Sequence, residues 1–190
     1  MSEGHPPQVN RRELPSRTHA QIIPGRSDPG AALNAVCGSQ TFASPAPLTA
    51  EGWGGIKIGM PEAAAMRRFG LKESNRPSGN ESCHEDVVPG YPQLIVMIDE
   101  GRIARFSLYE RGPLQTDRGF GIGARENDIR KAYGPTLKVE PHAYDDQPAH
   151  YLTFWTKPGR KGVRYETDTK GRVNAVHVGG AAIQYIEGCD

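Results

Sequence analysis

Apolar and polar residues alternate along several stretches in the second half of the chain, and this alternation predicts β-strands. Residues 94–99 and 102–109, joined by a Glu100-Gly101 turn, have the pattern of a hairpin. Four further strands are predicted towards the end of the chain, over residues 151–156, 163–168, 172–178 and 182–187. We therefore expect an antiparallel sheet.

Two short stretches instead follow the 3.6-residue period of an amphipathic helix. One follows Gly59 and ends near Gly70, and the other follows Gly123 and ends near Gly134. Glycine is common just after the last helical residue, because it adopts the left-handed conformation without strain. Helices of about nine or ten residues are too short to be stable alone. Each is therefore expected to pack on the sheet.

The chain contains an internal repeat. Residues 55–62 resemble residues 119–126 at an offset of 64, and residues 101–108 resemble residues 171–178 at an offset of 70. Two similar blocks in the same order indicate a duplicated supersecondary unit. The sequence thus predicts an α+β fold with two tandem units, each a short helix (or helix pair) packed on an antiparallel sheet. The units are assigned to residues 51–112 and 113–190.

The first 50 residues differ in composition from the rest. They contain 7 of the 16 prolines and, with Phe42, only one of the 14 aromatic residues. Such a segment buries too little apolar surface to offset its ordering entropy. We therefore predict that residues 1–50 are a disordered Pro-rich arm. The apolar run over residues 31–37 is too short for a secretory signal, so no signal peptide is predicted.

The charge balance excludes two classes of partner. Lys and Arg number 23 and Asp and Glu number 22, which gives a net charge of +1. Nucleic acids and anionic lipids are bound by clustered basic residues, so neither is an expected partner. No stretch approaches 18 consecutive apolar residues, and we expect no membrane span.

The alternation within the predicted strands assigns side chains to two faces of the sheet. Phe106, Leu108, Val176 and Val178 would face the helices. The side chains expected on the opposite, open face include aromatic and basic residues of the types found at binding hot spots: Arg105, Tyr109, Tyr151, Trp155 and His177. We predict a binding surface there, although these residues could also fill a shallow surface or pack under the arm.

Several residue patterns suggest chemistry but also have simpler explanations. The glycines of residues 119–123 imitate a dinucleotide-binding loop, but no βαβ unit surrounds them. In residues 83–86 four potential metal ligands are adjacent, yet only two of them could face one ion from a strand. His142 and His150 flank an acidic loop and could meet across a hairpin. No catalytic motif is present, so we expect no catalytic residue, metal or cofactor.

One sequence signature resembles known families. Ile56-Lys57-Ile58-Gly59-Met60, followed by a helix and Phe69-Gly70, is similar to a motif of two related groups. These are the small outer-membrane lipoproteins of the barrel-assembly machinery and the secreted β-lactamase inhibitor proteins. Residues 51–190 also resemble a group of uncharacterised proteobacterial envelope proteins. The resemblance implies a periplasmic or cell-envelope location, with the cytoplasm as the alternative.

The resemblance also suggests roles for the three cysteines. In an envelope protein, a Cys83–Cys189 disulfide would fasten the end of the chain to the first unit. Cys37 would then be free, lipidated or in an intermolecular bond. A lipid anchor there is disfavoured, since Leu33 is one position too far upstream for a lipidation motif. In the cytoplasm, all three cysteines would instead be reduced.

The sequence therefore predicts a non-catalytic cell-envelope binding module. Its expected partner is an envelope protein held by the open sheet face, with the chain acting as an inhibitor or an assembly factor. The alternative is a glycan- or cell-wall-binding protein that uses Trp155 and the tyrosines as stacking platforms. A small metal-dependent enzyme built around His142 and His150 is less well supported.

Overall fold

The computed structural model describes residues 45–73, 82–157 and 160–189. Most of the predicted arm, up to residue 44, lies outside these residues, as does Cys37. The remainder of the predicted arm belongs to the folded part of the chain. Leu48 is fully buried, and its backbone N–H donates to the carbonyl of Gln115 at 2.9 Å. The folded region therefore begins before residue 51.

The described residues form ten strands and two α-helices. The helices are α1 (Glu62–Phe69) and α2 (Glu126–Tyr133). The strands are β1 (Gly52–Trp53), β2 (Ile56–Lys57), β3 (Lys72–Glu73), β4 (Cys83–Val88), β5 (Tyr91–Asp99), β6 (Arg102–Leu108), β7 (Lys138–Pro141), β8 (His150–Lys157), β9 (Lys161–Thr167) and β10 (Val173–Gly179). Within these residues, neither α-helix has the length and apolar character required to cross a bilayer.

The predicted fold class of two tandem helix-on-sheet units is wrong. Eight strands form one antiparallel sheet in the order β3-β4-β5-β6-β10-β9-β8-β7, and β1 pairs with β2 separately. The sheet is continuous because β6 and β10 pair in its middle, with Phe106 opposite Val178 and Leu108 opposite Val176. This pairing satisfies two strand edges that separate units would leave open. The described chain is thus mostly β, with two eight-residue helices on its sheet.

The repeated sequence blocks correspond to two equivalent connections on this one sheet. Before α1, the N–H groups of Gly59 and Ile103 bond to the carbonyls of Ile103 and Met60, at 2.7 and 2.9 Å. Before α2, the corresponding bonds join Gly123 to Val173 and Val173 to Ala124, at 2.7 and 3.0 Å. The residues just before each helix are therefore bonded to the sheet in the same way, to Ile103 before α1 and to Val173 before α2.

The main core lies between the helices and one face of the sheet. Ala65 and Ile129 of the helices are buried there, together with Phe106, Leu108 and Val176 of the central strands. These sheet residues face the side that the alternation predicted. Gly70 follows α1 in the left-handed conformation, as expected, whereas Gly134 follows α2 with a φ of 57° and a ψ of −141°, which is not the left-handed helical conformation.

The end of the chain covers part of the opposite face and is not the predicted strand. Residues Ala181–Gln184 form a short 3-10 helix. The buried guanidinium of Arg105 explains the difference, because its Nη1 donates to the carbonyls of Ala182 and Tyr185 at 3.1 and 3.0 Å. A Cys83–Cys189 disulfide then fastens this segment to β4, which confirms the predicted pairing.

We expect the disulfide to contribute strongly to stability. The bond closes a loop between cysteines 106 residues apart, and such a constraint reduces the entropy of the unfolded chain. Replacing both Cys83 and Cys189 with alanine should lower the free energy of unfolding by about 2–5 kcal/mol. Chemical denaturation measures this change. Cys37→Ala is the matched control and should leave the midpoint unchanged; an equal effect of both changes would contradict the prediction.

Candidate functional site

The five predicted binding residues share one face of the sheet, but that face is largely covered. We call it the polar face; β4, β6, β8, β9 and β10 supply its side chains. Arg105, Tyr151 and His177 are buried, while Trp155 is half-buried and Tyr109 is 45% exposed. The C-terminal segment is one of the covers, since it contacts Arg105 directly. The predicted face is therefore correct in position, but its expected exposure is not observed.

A line of three polar side chains crosses the centre of the polar face. The hydroxyl of Ser107 lies 2.9 Å from Nδ1 of His177, and Nε2 of His177 lies 3.3 Å from a carboxylate oxygen of Glu166. The residues come from neighbouring strands, and Ser107 is directly opposite His177 in the ladder between β6 and β10. The strand register alone thus brings together a serine, an imidazole and a carboxylate.

The surroundings determine the charges of this group. Burial lowers the pKa of His177, and the nearby arginines lower it further, against the opposing effect of Glu166. For Glu166, burial opposes ionisation, but the hydrogen bond from His177 and the nearby positive charge of Arg164 outweigh it and hold its pKa below the usual value. We therefore assign a neutral His177 that donates from Nε2 to an ionised Glu166. Its Nδ1 then accepts from Ser107.

This arrangement has the residue types of a Ser-His-acid catalytic triad without the accessibility of one. Ser107 is only 1% exposed, so its hydroxyl cannot meet a substrate carbonyl in this conformation. Sequence reasoning could not find this group, since it depends on which strands become neighbours. The geometry supports an internal hydrogen-bond network rather than a nucleophile.

Two buried arginines flank the network. Arg105 contacts Glu85 at 3.4 Å, besides its bonds to the C-terminal segment. The guanidinium of Arg164 lies 3.7 Å from the centre of the Tyr151 ring, and His142 stacks on the same ring at 4.4 Å. Tyr151 is therefore a packing residue of this layer. It is not available to an external partner.

An exposed groove lies at the edge of the polar face, around the end of the chain. Its volume is about 570 Å³. The residues that line it include Cys83, Asp99, Tyr144, Tyr185, Ile186 and Glu187. Tyr144, Tyr185 and Ile186 are 66%, 43% and 49% exposed. The Tyr144 hydroxyl donates to Glu187 and that of Tyr185 donates to Asp99, so hydrogen bonds hold both rings beside the groove.

The histidines named as metal candidates lie in different environments. His142 contacts Glu166 at 3.5 Å on the polar face. His150 contacts Glu126 of α2 at 3.1 Å on the helix side of the sheet. His142 and His150 were predicted to meet across a hairpin. Each instead contacts a different carboxylate, and the two histidines do not form one site. Within residues 83–86 the side chains alternate as expected, with Cys83 bound to the C-terminal segment and His84 bound to α1.

Comparisons with known proteins show only distant structural likeness. No protein-family model matches the chain, and no curated protein matches it either. A DUF4309 family protein from Bacillus subtilis has a TM-score of 0.46 and 17% identity, over 67% of this chain and 84% of that one. An extracellular protein containing an SCP domain from Bacillus anthracis has a TM-score of 0.39 and 11% identity, over 65% of this chain and 44% of that one. This chain thus spans less than half of the second protein.

The His177 network predicts a decline in stability as the pH falls. His177 has a lower pKa in the folded protein than its usual 6.5, so below that pH the unfolded chain binds more protons. The free energy of unfolding should therefore decrease from pH 6.5 downwards, by up to about 1.4 kcal/mol per pH unit for this one group. The low pKa of Glu166 adds a further decline below pH 4.5. Denaturation curves between pH 7 and 5 measure this decline.

The matched comparison uses one substitution in the network and one beside it, at Tyr109, whose ring lies 5.7 Å from that of His177. His177→Gln keeps a donor towards Glu166 but removes the titration, so its stability should change less between pH 7 and 5. Tyr109→Phe should keep the pH dependence of the parent, because burial raises the pKa of Tyr109 above its usual 10.0. If the glutamine variant loses stability as steeply as the parent, the assignment of a neutral His177 is wrong.

Proposed function

We propose that this protein is a non-catalytic binding module of the cell envelope, which holds a partner protein at the groove of Tyr144, Tyr185 and Ile186. One observation carries the proposal. Of the five large hydrophobic side chains that are exposed among the described residues, these three line the same groove. Exposed aromatic and aliphatic residues that gather in one place are typical of protein interaction sites.

The C-terminal segment that forms one side of the groove is held in a fixed conformation without a partner. Cys189 is bonded to Cys83 of β4, and the carbonyl of Tyr185 accepts a hydrogen bond from buried Arg105. A surface that is already ordered loses less conformational entropy on association. The polar face thus supports the groove through Arg105, one of the predicted binding residues, which would contribute to binding by holding the C-terminal segment in place.

The charge of the groove indicates the chemistry of the partner. Asp99 and Glu187 lie along it, and no Lys or Arg is among its lining residues within the described chain. A complementary partner surface would present an apolar or aromatic side chain beside Lys or Arg. Tyr109 and Trp155, two of the predicted binding residues, are exposed and half-buried on the same face and are outside the lining of the groove.

The disulfide supports the proposed location. Bonds of this kind persist in oxidising compartments such as the bacterial periplasm, and they are rare in the cytoplasm. The resemblance to outer-membrane assembly lipoproteins and β-lactamase inhibitor proteins favours an envelope partner that is inhibited or assembled. The non-catalytic assignment is supported by Ser107 and His177, whose hydrogen bonds are made inside the polar face.

Site-specific photo-crosslinking tests the proposed groove. A crosslinking residue at position 186 in the native cell should capture one defined envelope protein. The same residue at position 66 should not, although Met66 is 43% exposed and apolar and thus a matched control outside the groove. Binding of the purified partner is then measured by calorimetry. We expect Tyr185→Ala and Ile186→Ala to weaken it by about tenfold or more each, and Met66→Ala to leave it unchanged.

Two results would contradict the proposal. One is equal crosslinking from positions 66 and 186. The other is quenching of tryptophan fluorescence by peptidoglycan fragments that is lost in the Tyr185→Ala chain, which would favour the glycan-binding alternative. Tyr151→Ala is unsuitable as a test, because Tyr151 packs between His142 and Arg164 and its loss would disturb the fold.

A further inference from the structure

Two side chains hold the backbone of the loop that carries Tyr144, one of the residues lining the groove. This loop connects β7 and β8. Nδ1 of His142 accepts hydrogen bonds from the N–H groups of Tyr144 and Asp145, at 3.3 and 3.0 Å. The hydroxyl of Tyr151 accepts one from the N–H of Ala143 at 3.3 Å. Three successive N–H groups therefore end on side chains, which set the path of the loop.

His142 is itself held in one orientation. Its ring stacks on that of Tyr151, with 4.4 Å between the ring centres and 29° between the planes. The side chain of His142 is only 9% exposed, and its Nε2 lies 3.5 Å from a carboxylate oxygen of Glu166. A ring nitrogen accepts a hydrogen bond only when it carries no proton. The two donors at Nδ1 therefore assign a neutral His142 with its proton on Nε2, directed towards Glu166.

His142 thereby positions one side of the groove. The hydroxyl of Tyr144 donates to Glu187 of the C-terminal segment, and both residues line the groove. The opposite side, around Tyr185, is held separately, by Arg105 and by the disulfide. The bonds at Nδ1 of His142 thus decide how the loop side faces the C-terminal side.

Protonation of His142 would remove these bonds. Histidine changes its charge between about pH 5 and 8, and the charged ring has a proton on both nitrogens and no acceptor. The N–H groups of Tyr144 and Asp145 would then face a third donor at Nδ1. The loop would have to move, and the ring of Tyr144 would move with it.

The titratable and charged groups around His142 come from its own loop and from three strands. They are Asp145 of the loop, Tyr151 of β8, Arg164 and Glu166 of β9, and His177 of β10, which contacts the other oxygen of Glu166. The carboxylate of Asp145 lies 4.0 Å from Nδ1. A protonated Nδ1 thus has an alternative acceptor in Asp145, and turning to it means giving up the two backbone donors.

We propose that His142 is a positioning residue of the groove and makes partner binding sensitive to pH. The neutral imidazole holds Tyr144 against the C-terminal segment, and the protonated imidazole releases it. This inference rests on the proposed function, since it names how binding at that groove is regulated. A partner would be held near neutral pH and released on acidification.

Two substitutions at position 142 separate the acceptor from the ring. His142→Asn places an oxygen where Nδ1 lies, and asparagine commonly accepts from N–H groups a few residues further along the chain, without titrating. His142→Phe keeps a ring that can stack on Tyr151 but offers no acceptor. His150→Asn is the matched control, because His150 also contacts a carboxylate but lies on the helix side of the sheet.

Nuclear magnetic resonance of the isotope-labelled full-length chain reads the loop without a partner. The probes are the amide signals of Tyr144 and Asp145 and the nuclear Overhauser contact between Tyr144 and Glu187. In the parent and in His150→Asn this contact should be present at pH 7 and lost at pH 5. The His142→Asn chain should keep it at both pH values, and the His142→Phe chain should lack it at both. Circular dichroism verifies the fold of each chain at each pH.

Calorimetry with the crosslinked partner then measures the effect on binding. The parent should bind at least about tenfold more weakly at pH 5 than at pH 7. For His142→Asn the two affinities should agree within about threefold. The His142→Phe chain should bind at pH 7 as weakly as the parent does at pH 5. A purely structural role of His142 would not give this rescue by asparagine.

Two results would overturn the inference. One is a Tyr144–Glu187 contact that persists in the folded parent at pH 5. The other is a His142→Asn chain that loses this contact on acidification as the parent does. Both results concern the loop alone, so they would leave the groove itself as the binding site. Failure to capture a partner at position 186 would instead contradict the proposed function, while the resonance measurements would still decide the role of His142.

Discussion

The pairing of β6 with β10 is the constraint on which the rest of the structure depends. It joins two hairpins into one sheet and places Phe106 and Val178 in the centre of the main core. The same ladder sets Ser107 beside His177 on the other face, so one strand contact creates both the apolar and the polar layer. Without it, neither the buried network nor the support beneath the C-terminal segment would exist.

The sequence was informative where the determinants are local. The hairpin over residues 94–109, the direction of side chains along β6 and β10, and the glycines after the helices follow from alternation and turn chemistry. The Cys83–Cys189 pairing was also anticipated. Strand β4 was not, because its sequence from Cys83 to Val88 carries charged residues at both faces and shows no apolar alternation. This strand forms through its ladders with the neighbouring strands β3 and β5.

In the candidate sites too, local sequence patterns were informative, whereas contacts between distant residues could not be predicted. The five residues on the polar face could be grouped from alternation. The burial of Arg105 could not be predicted, since it depends on a C-terminal segment whose apolar pattern is typical of a strand. The carbonyls of that segment are directed to Arg105 instead of to a neighbouring strand. Glu187 could not be associated with Tyr144 from spacing alone, because the intervening chain includes β8, β9 and β10.

The position of the disulfide has a consequence for biogenesis. Cys189 follows the last strand of the sheet, Val173–Gly179, so its thiol is synthesised after the whole sheet. Before then, Cys83 can react with Cys37, which lies 46 residues away rather than 106. The shorter loop is closed more readily by entropy alone. Correct oxidation therefore depends on bond formation after the strands of the sheet have been synthesised, or on exchange between thiols.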